Sequence, residues 1–394
     1  MSSESTRSTR RLHLGIHVVG NLFGGGITVV TNLVPAMARA RPGHRFTLYT
    51  SMSQLVAAPF PENVRVSYHP QLGGLMRRTA WEQLSFPRIL RHEAIDALLL
   101  LNGFSLFASR VPQVSVWQNP NMLSRDDIPR PLSLRLYIEV QRLIQAASLR
   151  KATRNVFLTE HSVEMAKQIW PMQRYPYRVI HSGIDPSRVA PDAGKGGEAS
   201  GEGEERENLA LAVGHTYYHK NYLRLIDALK LYADRYDDDL RLILIGGPYE
   251  PEHHRELERR VRELGLKGRI EMLGERPAED VLACYQRARL YVTVSRLETF
   301  GLPILEAMAN GLPVVASRAT CHPEVAGSAA HYCDPDDPGD IARALHDVAV
   351  DASLRTELRR RGRERVNDFS WERSGRSYVE ELERATADAS QASL

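Results

Sequence analysis

From Leu12 onward, the chain alternates short apolar segments with longer segments in which apolar residues have helical spacing. Short apolar runs bounded by turn residues are typical of buried strands, and helical segments between them are typical of parallel-sheet crossovers. A first series of such runs is LHLGIHVV, RFTLYTS, VRVSYH, AIDALLLL, PQVSVW, NVFLTE and YRVIHSG. A second series is LALAV, LRLILIG, RIEMLG, LYVTVS and PVVAS. The pattern therefore predicts an α/β protein with two sets of βα units.

A stretch without apolar periodicity separates the two series. Residues 189–208 are rich in Gly, Ala and Glu, a composition typical of a solvated linker or surface loop. We therefore predict one Rossmann-like, doubly wound domain over residues 11–188 and another over residues 209–371. The polar, amphipathic segment 372–388 is predicted to form a last helix that packs back on the first domain. A chain of 394 residues is long enough for two such domains facing a cleft.

Charge and cysteine content argue against several classes of protein. The formal net charge is only +3, so no nucleic-acid partner is expected. Three cysteines without a C-x-x-C pair indicate neither a disulfide framework nor a cysteine zinc site. No apolar run approaches the roughly 18 residues of a spanning helix, and the N-terminal residues do not resemble a secretory signal. We expect a cytoplasmic protein.

Two glutamates, Glu298 and Glu306, are separated by seven residues across a predicted strand-to-helix turn. Pro303 fits the first turn of a helix, where its missing N–H costs nothing. The loop between the glutamates then presents backbone amides at the positive end of a helix dipole, which suits a diphosphate. Glu306 can accept hydrogen bonds from ribose hydroxyls, and Glu298 from sugar hydroxyls. If each glutamate is considered alone, another interpretation is available. Glu298 would then be a solvated charge in a loop, and Glu306 a residue that favours the start of a helix. The candidate donor-binding residues of the loop are Thr299, Phe300, Gly301 and Leu302.

The run from Gly301 to Ser317, GLPILEAMANGLPVVAS, resembles the signature of glycosyltransferase family 4, the group 1 glycosyltransferases. The resemblance weakens in the first domain but includes Val213-Gly214, Lys220-Asn221, Leu273-Gly274 and Pro323 to Gly327. It implies the GT-B fold, a nucleotide-diphosphate sugar as donor, a saccharide or lipid-linked acceptor, and retention at the anomeric carbon without a metal or cofactor. It also implies that Lys220 binds the donor diphosphate and that Gly274 belongs to the donor site.

Two candidate catalytic residues depart from the family pattern. Many members have arginine directly after the glycine, where this chain has His215. Cationic help to the leaving diphosphate is then weaker or pH-dependent, because histidine titrates near neutrality. Many members also have a histidine at the position of Gln118, which follows strand VSVW. With Lys220 and Glu298, these residues complete the candidate catalytic set.

Three loops of the first domain carry further candidates. Gly25 and Gly26 resemble the family's first βα loop beside the donor phosphates, although glycines there could serve the turn alone. Asn119, like Gln118, is interpreted as a sugar ligand or as a turn residue. Glu160 and His161 lie in the segment TEHS, which resembles the family's S-E-x-S segment. They are placed on the acceptor side of the cleft, the alternative being that the Ser or His caps a helix.

Two charged segments allow other interpretations. The run Asp237-Asp238-Asp239 resembles a metal-binding D-x-D, but it lies at a predicted turn and is interpreted as a solvated charge run. Segment 130–154 carries six basic residues against one acid, with Leu, Ile and Tyr at helical spacing. One interpretation is an amphipathic helix whose apolar side is core and whose arginines are solvated. The other is peripheral contact with an anionic membrane that bears a lipid-linked acceptor.

Two other functional classes remain open. One is a sugar-nucleotide epimerase on the same fold, for which the motifs suggest no catalytic set. The other is a non-catalytic nucleotide-sugar-binding subunit. This alternative stays open because His215 and Gln118 depart from the family pattern. The sequence identifies neither the donor base and sugar nor the acceptor, linkage or oligomeric state.

Overall fold

The computed structural model describes residues 10–19, 25–70, 75–123, 132–185, 189 and 206–391. The strands of the first half are β1 (His13–Val18), β2 (Arg45–Thr50), β3 (Val64–Tyr68), β4 (Ala97–Leu100), β5 (Gln113–Trp117), β6 (Arg154–Phe157) and β7 (Tyr177–Val179). Those of the second half are β8 (Glu207–Val213), β9 (Arg241–Ile245), β10 (Ile270–Gly274), β11 (Ala288–Thr293), β12 (Val314–Ser317) and β13 (Ala330–Cys333).

Helices connect the strands in both halves. The helices of the first half are α1 (Gly25–Ala40), α2 (Ser53–Val56), α3 (Leu75–Ala80), α4 (Phe86–His92), α5 (Pro120–Leu123), α6 (Leu132–Lys151) and α7 (Glu160–Lys167). Those of the second half are α8 (Tyr222–Arg235), α9 (Pro251–Glu263), α10 (Ala278–Arg287), α11 (Leu302–Ala309), α12 (His322–Ala326), α13 (Pro338–Val350), α14 (Ala352–Val366) and α15 (Trp371–Gln391). A π-helical turn, Trp81–Ser85, joins α3 to α4, and short 3-10 turns include Tyr218–Lys220.

The strands form two parallel sheets, with orders β3-β2-β1-β4-β5-β6-β7 and β10-β9-β8-β11-β12-β13. Central strands such as β4 (ALLL) and β5 (QVSVW) are buried along their whole length, as expected for parallel strands covered on both faces. This confirms the predicted α/β class with two doubly wound halves. Strand β13 was not predicted, because its sequence AHYC contains no apolar run and its two central residues are only partly buried.

Strand order reverses at β1 and β4 in the first sheet and at β8 and β11 in the second. Ligands of open α/β sheets bind at the carboxyl ends of the strands at such a switch point. In the second sheet, the loops that follow β8 and β11 contain Lys220 and Glu298, respectively. The topology therefore places the two candidate catalytic residues at the same edge.

The last helix, α15, packs against α1 of the first half. Gly375 lies so close to α1 that a Cβ there would be 2.6 Å from the backbone carbon of Ala36. The buried carboxylate of Glu381 pairs with Arg154 beside it. This helix is longer than the predicted segment 372–388. Strand β8 also begins two residues before the predicted boundary at 209, because Glu207 pairs with Ala288 of β11.

Helix α6 differs from the amphipathic helix that one interpretation predicted. Ile138 and Leu149 are buried, but Leu132 and Leu143 are 71% and 74% exposed. The side chain of Arg142, in contrast, is only 11% exposed. The expectation that the apolar residues form core is therefore wrong for much of this helix, whereas Arg135 and Arg150 are exposed as that interpretation expected. Arg130, at the start of the predicted segment, lies outside the described residues. Within the described ranges, no helix combines the length and apolar character needed to cross a bilayer.

Candidate functional site

Lys220 and Glu298 form the centre of the candidate site. The Lys220 Nζ donates a hydrogen bond to Glu298 Oε1, and the two side chains are 15% and 13% exposed. Gly214 makes this approach possible, because a Cβ at Gly214 would lie only 3.0 Å from both Cε and Nζ of the lysine. Asn221, in the left-handed region with φ 62°, immediately precedes α8 and donates from its side chain to the Val294 and Pro335 carbonyls. The β8 and β11 loops are thereby held together.

The backbone and carboxylate of Glu298 are both fixed by hydroxyl groups. The Glu298 N–H donates to Thr320 Oγ1 at 2.7 Å, and the same hydroxyl donates to the Glu298 carbonyl at 2.8 Å. Thr320 has φ 58°, a rare conformation for a β-branched residue and one that occurs often at functional sites. Ser295 Oγ donates to Glu298 Oε1 at 3.2 Å. Lys220 and Ser295 thus hold the carboxylate, and Thr320 holds the backbone of the same residue.

The charge of Glu298 is set by its neighbours. Burial alone would raise the pKa of this carboxyl, but the Lys220 ammonium, with His219 and His322, lowers the pKa to about 2. Burial also lowers the pKa of His322 to about 4 although Glu298 opposes this shift. Near neutral pH the site therefore contains an ionised carboxylate beside a neutral imidazole.

The predicted donor loop ends at a helix N-terminus, as its sequence indicated. Gly301 caps α11 with φ 83°, a conformation that favours glycine. Phe300 is buried, with its ring centroid 5.7 Å from that of Phe369. Glu306 lies within α11 and is 7% exposed. Tyr285 donates its hydroxyl to Glu306 Oε2 at 3.0 Å. The Glu306 carboxylate is therefore oriented by a side chain of α10.

His215 adopts an arrangement that favours the neutral imidazole. Its Nδ1 accepts a hydrogen bond from the Gly247 N–H at 2.9 Å, which requires an unprotonated Nδ1. Burial lowers the pKa of His215, and Lys220 lowers it further, while Glu275 opposes them. The sequence-based hypothesis relied on a cationic His215 that faces phosphates. The geometry of the described residues instead supports a neutral side chain that orders the loop after β9.

The glycines predicted to bind the donor lie in different halves of the chain. Gly274 ends β10 with φ 70°, and its carbonyl accepts the Gly246 N–H at 2.9 Å. A Cβ there would meet nothing within 4 Å, so this edge of the site is open. Gly25 and Gly26 form the start of α1, in the first half. The preceding residues of that loop, Phe23 and Gly24, lie outside the described residues.

Gln118 links the first half to the donor loop through its backbone. Its carbonyl accepts the hydroxyl of Thr299 at 2.7 Å, while its side-chain amide donates to the Leu101 carbonyl. Asn119, the next residue, is exposed. The Gln118 side chain thus holds the loops after β4 and β5 together, a role closer to the turn alternative than to that of a sugar ligand.

Glu160 and His161 meet the second half through their backbone amides. Both N–H groups lie in the first turn of α7 and donate to the carboxylate of Glu324, at 2.9 and 3.0 Å. His181 Nε2 lies 2.9 Å from the same carboxylate. The cap of α7 is Thr159, not the Ser or His considered from the sequence. Thr159 also donates to the Thr299 carbonyl at 3.0 Å. Thr299 and Glu324 therefore join the two halves.

Sequence reasoning missed several residues of this arrangement. Ser295, Thr320 and Tyr285 hold the two glutamates, but isolated hydroxyl residues carry no spacing signal. Glu324 lies in the run PEVAG, which contributed to the family resemblance without a role being assigned. Glu324 lies in the first turn of α12, and its position opposite the N-terminus of α7 is apparent only in the folded chain, where the two halves meet.

The described ranges contain no group of three or more His, Cys, Asp or Glu side chains arranged to hold a metal ion. In the run 237–239, Asp238 accepts the Leu240 N–H at 2.8 Å and the side chain of Asn208. The contacts of Asp238 are those of a turn before β9.

Family models match both halves of the chain. Residues 198–365 match the model described as glycosyl transferases group 1, and residues 23–188 match glycosyltransferase family 4. Among curated proteins, an O-antigen chain mannosyltransferase B of Escherichia coli is 38% identical over 166 residues, or 42% of this chain. The match covers 43% of that relative's length. A D-inositol 3-phosphate glycosyltransferase of Corynebacterium urealyticum is 26% identical over 78% of this chain and 74% of its own length.

Solved structures share the fold over nearly the whole chain. A sucrose-phosphate synthase from Thermosynechococcus elongatus has a TM-score of 0.71 at 19% identity and covers 96% of this chain and 100% of its own. Anabaena HepE in complex with UDP-glucose has a TM-score of 0.71 at 18% identity, covering 94% and 99%. WaaG, a glycosyltransferase of lipopolysaccharide biosynthesis, has a TM-score of 0.66 at 17% identity, covering 94% and 99%. At these identities the likeness establishes the two-domain GT-B fold.

Proposed function

This chain belongs to the group 1 glycosyltransferases of family 4, and on that premise we propose that it transfers a sugar from a nucleotide-diphosphate sugar to a saccharide or lipid-linked saccharide acceptor. The observation that carries this proposal is the partly buried pair of Lys220 and Glu298 beside the N-terminus of α11. A cation, a helix dipole and an ionised acceptor at one edge of a sheet suit a diphosphate bonded to a sugar.

Departure of the nucleoside diphosphate needs stabilisation of its new negative charge. In our proposal the phosphates take the place of Glu298 as the partner of Lys220 and accept backbone amides between Thr299 and Leu302. A flexible ammonium suits this exchange, because it needs no fixed geometry toward its anionic partner. Glu306, oriented by Tyr285, would accept the ribose hydroxyls. The diphosphate charge would then be met without a divalent ion, so transfer is proposed to be metal-independent.

The sugar would lie between the donor loop and the first half. Once Lys220 turns to the phosphates, the Glu298 carboxylate can accept sugar hydroxyls and orient the developing oxocarbenium-like centre. This carboxylate is held by Lys220 and Ser295, which fits a positioning group better than a protein nucleophile. We therefore propose retention by attack of the acceptor on the face that the diphosphate leaves, as the family resemblance implies.

The acceptor is proposed to belong to surface polysaccharide or glycan assembly, with the enzyme in the cytoplasm or peripherally at the inner face of the membrane. Support comes from the likeness to an O-antigen chain mannosyltransferase and from the exposed apolar residues of α6. Exposed apolar patches of this kind mark interaction surfaces in soluble proteins.

Donor hydrolysis tests the proposed function against its rivals. A thermal-shift panel of UDP, GDP, ADP and dTDP first identifies the base, because a bound ligand raises the stability of the native state by mass action. Sugars on that base are then incubated with the protein, and the products are followed by NMR. Slow release of free sugar with a retained anomeric configuration is the expected result. Epimer formation would indicate an epimerase, and binding without turnover a non-catalytic subunit.

A further inference from the structure

Three arginines follow one another along one face of α14. Arg355, Arg359 and Arg363 are spaced by four residues, which places them one above the other at intervals of about 6 Å. Burial lowers the pKa of Arg359 below its usual value, and the neighbouring charges of Arg355 and Arg363 lower it further. The pKa of Arg355 is likewise lowered by burial and by Arg289 of β11, while Asp351 opposes the shift. The four residues, termed the arginine row below, are Arg289, Arg355, Arg359 and Arg363, and their like charges repel one another.

Other arginines of α14 are neutralised by acids of the same helix. Arg360 pairs with Glu357 at 2.9 Å and with Glu364 at 2.6 Å. Arg361 pairs with Glu357 at 2.6 Å. The arginine row, by contrast, forms no ion pair with a carboxylate in the part of the chain that the structure describes. Its positive charge is therefore left without an anionic partner there.

Guanidinium N–H groups of the row remain available to a ligand. Arg355 uses its Nη1 for the Val348 and Ala349 carbonyls at the end of α13. The Nε of Arg359 is buried and has no hydrogen-bond partner among the described residues. A buried charged group with an unmade hydrogen bond is costly, and Arg363 is exposed. An anion that accepted these donors would complete the missing bond and offset the repulsion within the row.

The arginine row lies at the edge of the second sheet that is opposite the donor loop. Arg289 is the second residue of β11, at the amino end of that strand. A Cβ at Gly311, which follows α11, would lie 3.8 Å from Arg363 Nη2 and 4.0 Å from Arg206 Nη2. Arg206 in turn donates to the Asn310 carbonyl at the end of α11. The donor loop is at the start of α11, so the row and the donor site lie at opposite ends of this helix.

We propose that the arginine row binds a soluble anion with several phosphate groups, at a site separate from the donor site. Each guanidinium presents a planar fork of donors that matches two oxygens of a phosphate, and a chain of phosphates can bridge neighbours along the helix. Leu358, the apolar residue before Arg359, is 3% exposed. It is therefore not available for insertion into a lipid surface, which favours a soluble anion. Binding at the row does not depend on the sugar transfer proposed above.

Calorimetric titration with tripolyphosphate tests the arginine row. The full chain carries Lys220→Ala in this experiment, which removes the proposed diphosphate cation, so that the donor site contributes little. We expect binding that weakens with added salt. Adding Arg359→Gln/Arg363→Gln should reduce the affinity by at least about tenfold, because charged hydrogen bonds to phosphate are lost. The matched control adds Arg360→Gln/Arg361→Gln, which removes the same charge from the same helix and should change the affinity by no more than about twofold.

Thermal unfolding checks that the variants fold and measures binding independently. Without anion, Arg359→Gln/Arg363→Gln should not lower Tm, since it removes like charges at helical spacing. Tripolyphosphate should raise the Tm of the control and not that of this variant. Equal affinity of the two double variants would overturn the proposal, as would wild-type binding that Lys220→Ala alone abolishes. Binding of polyglutamate or of anionic vesicles without binding of tripolyphosphate would also overturn it, and would indicate an acidic polypeptide or a lipid surface as the partner.

Discussion

Replacement of Glu298 by glutamine separates nucleotide binding from sugar transfer. The carboxylate pairs with Lys220, which is the proposed cation for the diphosphate. Two unit charges about 4 Å apart attract by about 4 kcal/mol at an effective dielectric constant near 20. Glu298→Gln removes this competing attraction, so affinity for the nucleoside diphosphate should stay the same or increase by up to about tenfold, the net effect being smaller than the gross attraction. Turnover should fall by about a hundredfold, because the proposed sugar contact loses its charge.

Calorimetric titration with the nucleoside diphosphate and steady-state donor turnover measure the two effects. The control is Glu275→Gln, since Glu275 lies 3.8 Å from His215 Nδ1 at the rim of the same site and its side chain is 63% exposed. That variant should change affinity and turnover by no more than about twofold, as for other exposed charges. A parallel loss of diphosphate affinity and turnover in Glu298→Gln would show that Glu298 binds the nucleotide directly and would refute the reasoning.

The substitution Glu298→Gln should also change how the melting temperature depends on pH. The pKa of Glu298 is about 2 in the folded chain, below the ordinary value of 4.5. Its ionised form therefore stabilises the fold fully above about pH 4.5, and this contribution is lost as pH falls toward 2. Glu298→Gln should lower Tm at neutral pH by leaving Lys220 without its anionic partner. Its Tm should then depend less on pH than that of wild type between 4.5 and 2.

Four further outcomes are expected. Glu306→Ala should weaken nucleotide binding by about 1 to 3 kcal/mol, since ribose donors lose their acceptor; unchanged affinity for every nucleoside diphosphate would remove it from the site. Activity should survive exhaustive EDTA treatment, and loss that magnesium or manganese restores would contradict the proposed diphosphate site. Because burial lowers the pKa of His215, donor KM should stay flat as pH rises above neutrality; a rising KM that His215→Arg flattens would support a cationic imidazole. Glu324→Gln should lower acceptor kcat/KM by about tenfold without changing nucleotide affinity, whereas Asp351→Asn, which alters a cap within one half, should change neither.

Local signals in the sequence were sufficient for much of the fold and for the donor loop. Strand positions followed from apolar runs, because a parallel strand buried on both faces cannot contain many polar residues. The start of α11 followed from Pro303, whose backbone preference acts within one turn. Strand β13 was not predicted from the sequence. It lies at the edge of its sheet and is partly exposed, so it can contain His331 and Tyr332 in its middle and has no apolar run.

Contacts between distant residues were decided by the tertiary structure. Lys220 and Glu298 are 78 residues apart, and Glu324 meets the α7 amides across more than 160 residues. Sequence reasoning identified the first two as separate ligands, but only their meeting at the switch point shows that the Lys220 ammonium keeps the Glu298 carboxyl ionised. His215 likewise became neutral through burial and the Gly247 amide, which no residue type specifies alone.

Helix α6 shows the same difference between what the sequence determined and what the packing decided. Its sequence determined that a helix with both apolar and basic residues forms, because these properties follow from the spacing of side chains along one segment. Which side of the helix is buried depends on the surface that the rest of the first half offers to it. The packing of Ile138 and Leu149 inward left Leu136 and Leu143 in solvent. The amino-acid sequence therefore determined the elements and the residue types at the donor loop, whereas the three-dimensional packing decided which charges meet and which apolar face remains exposed.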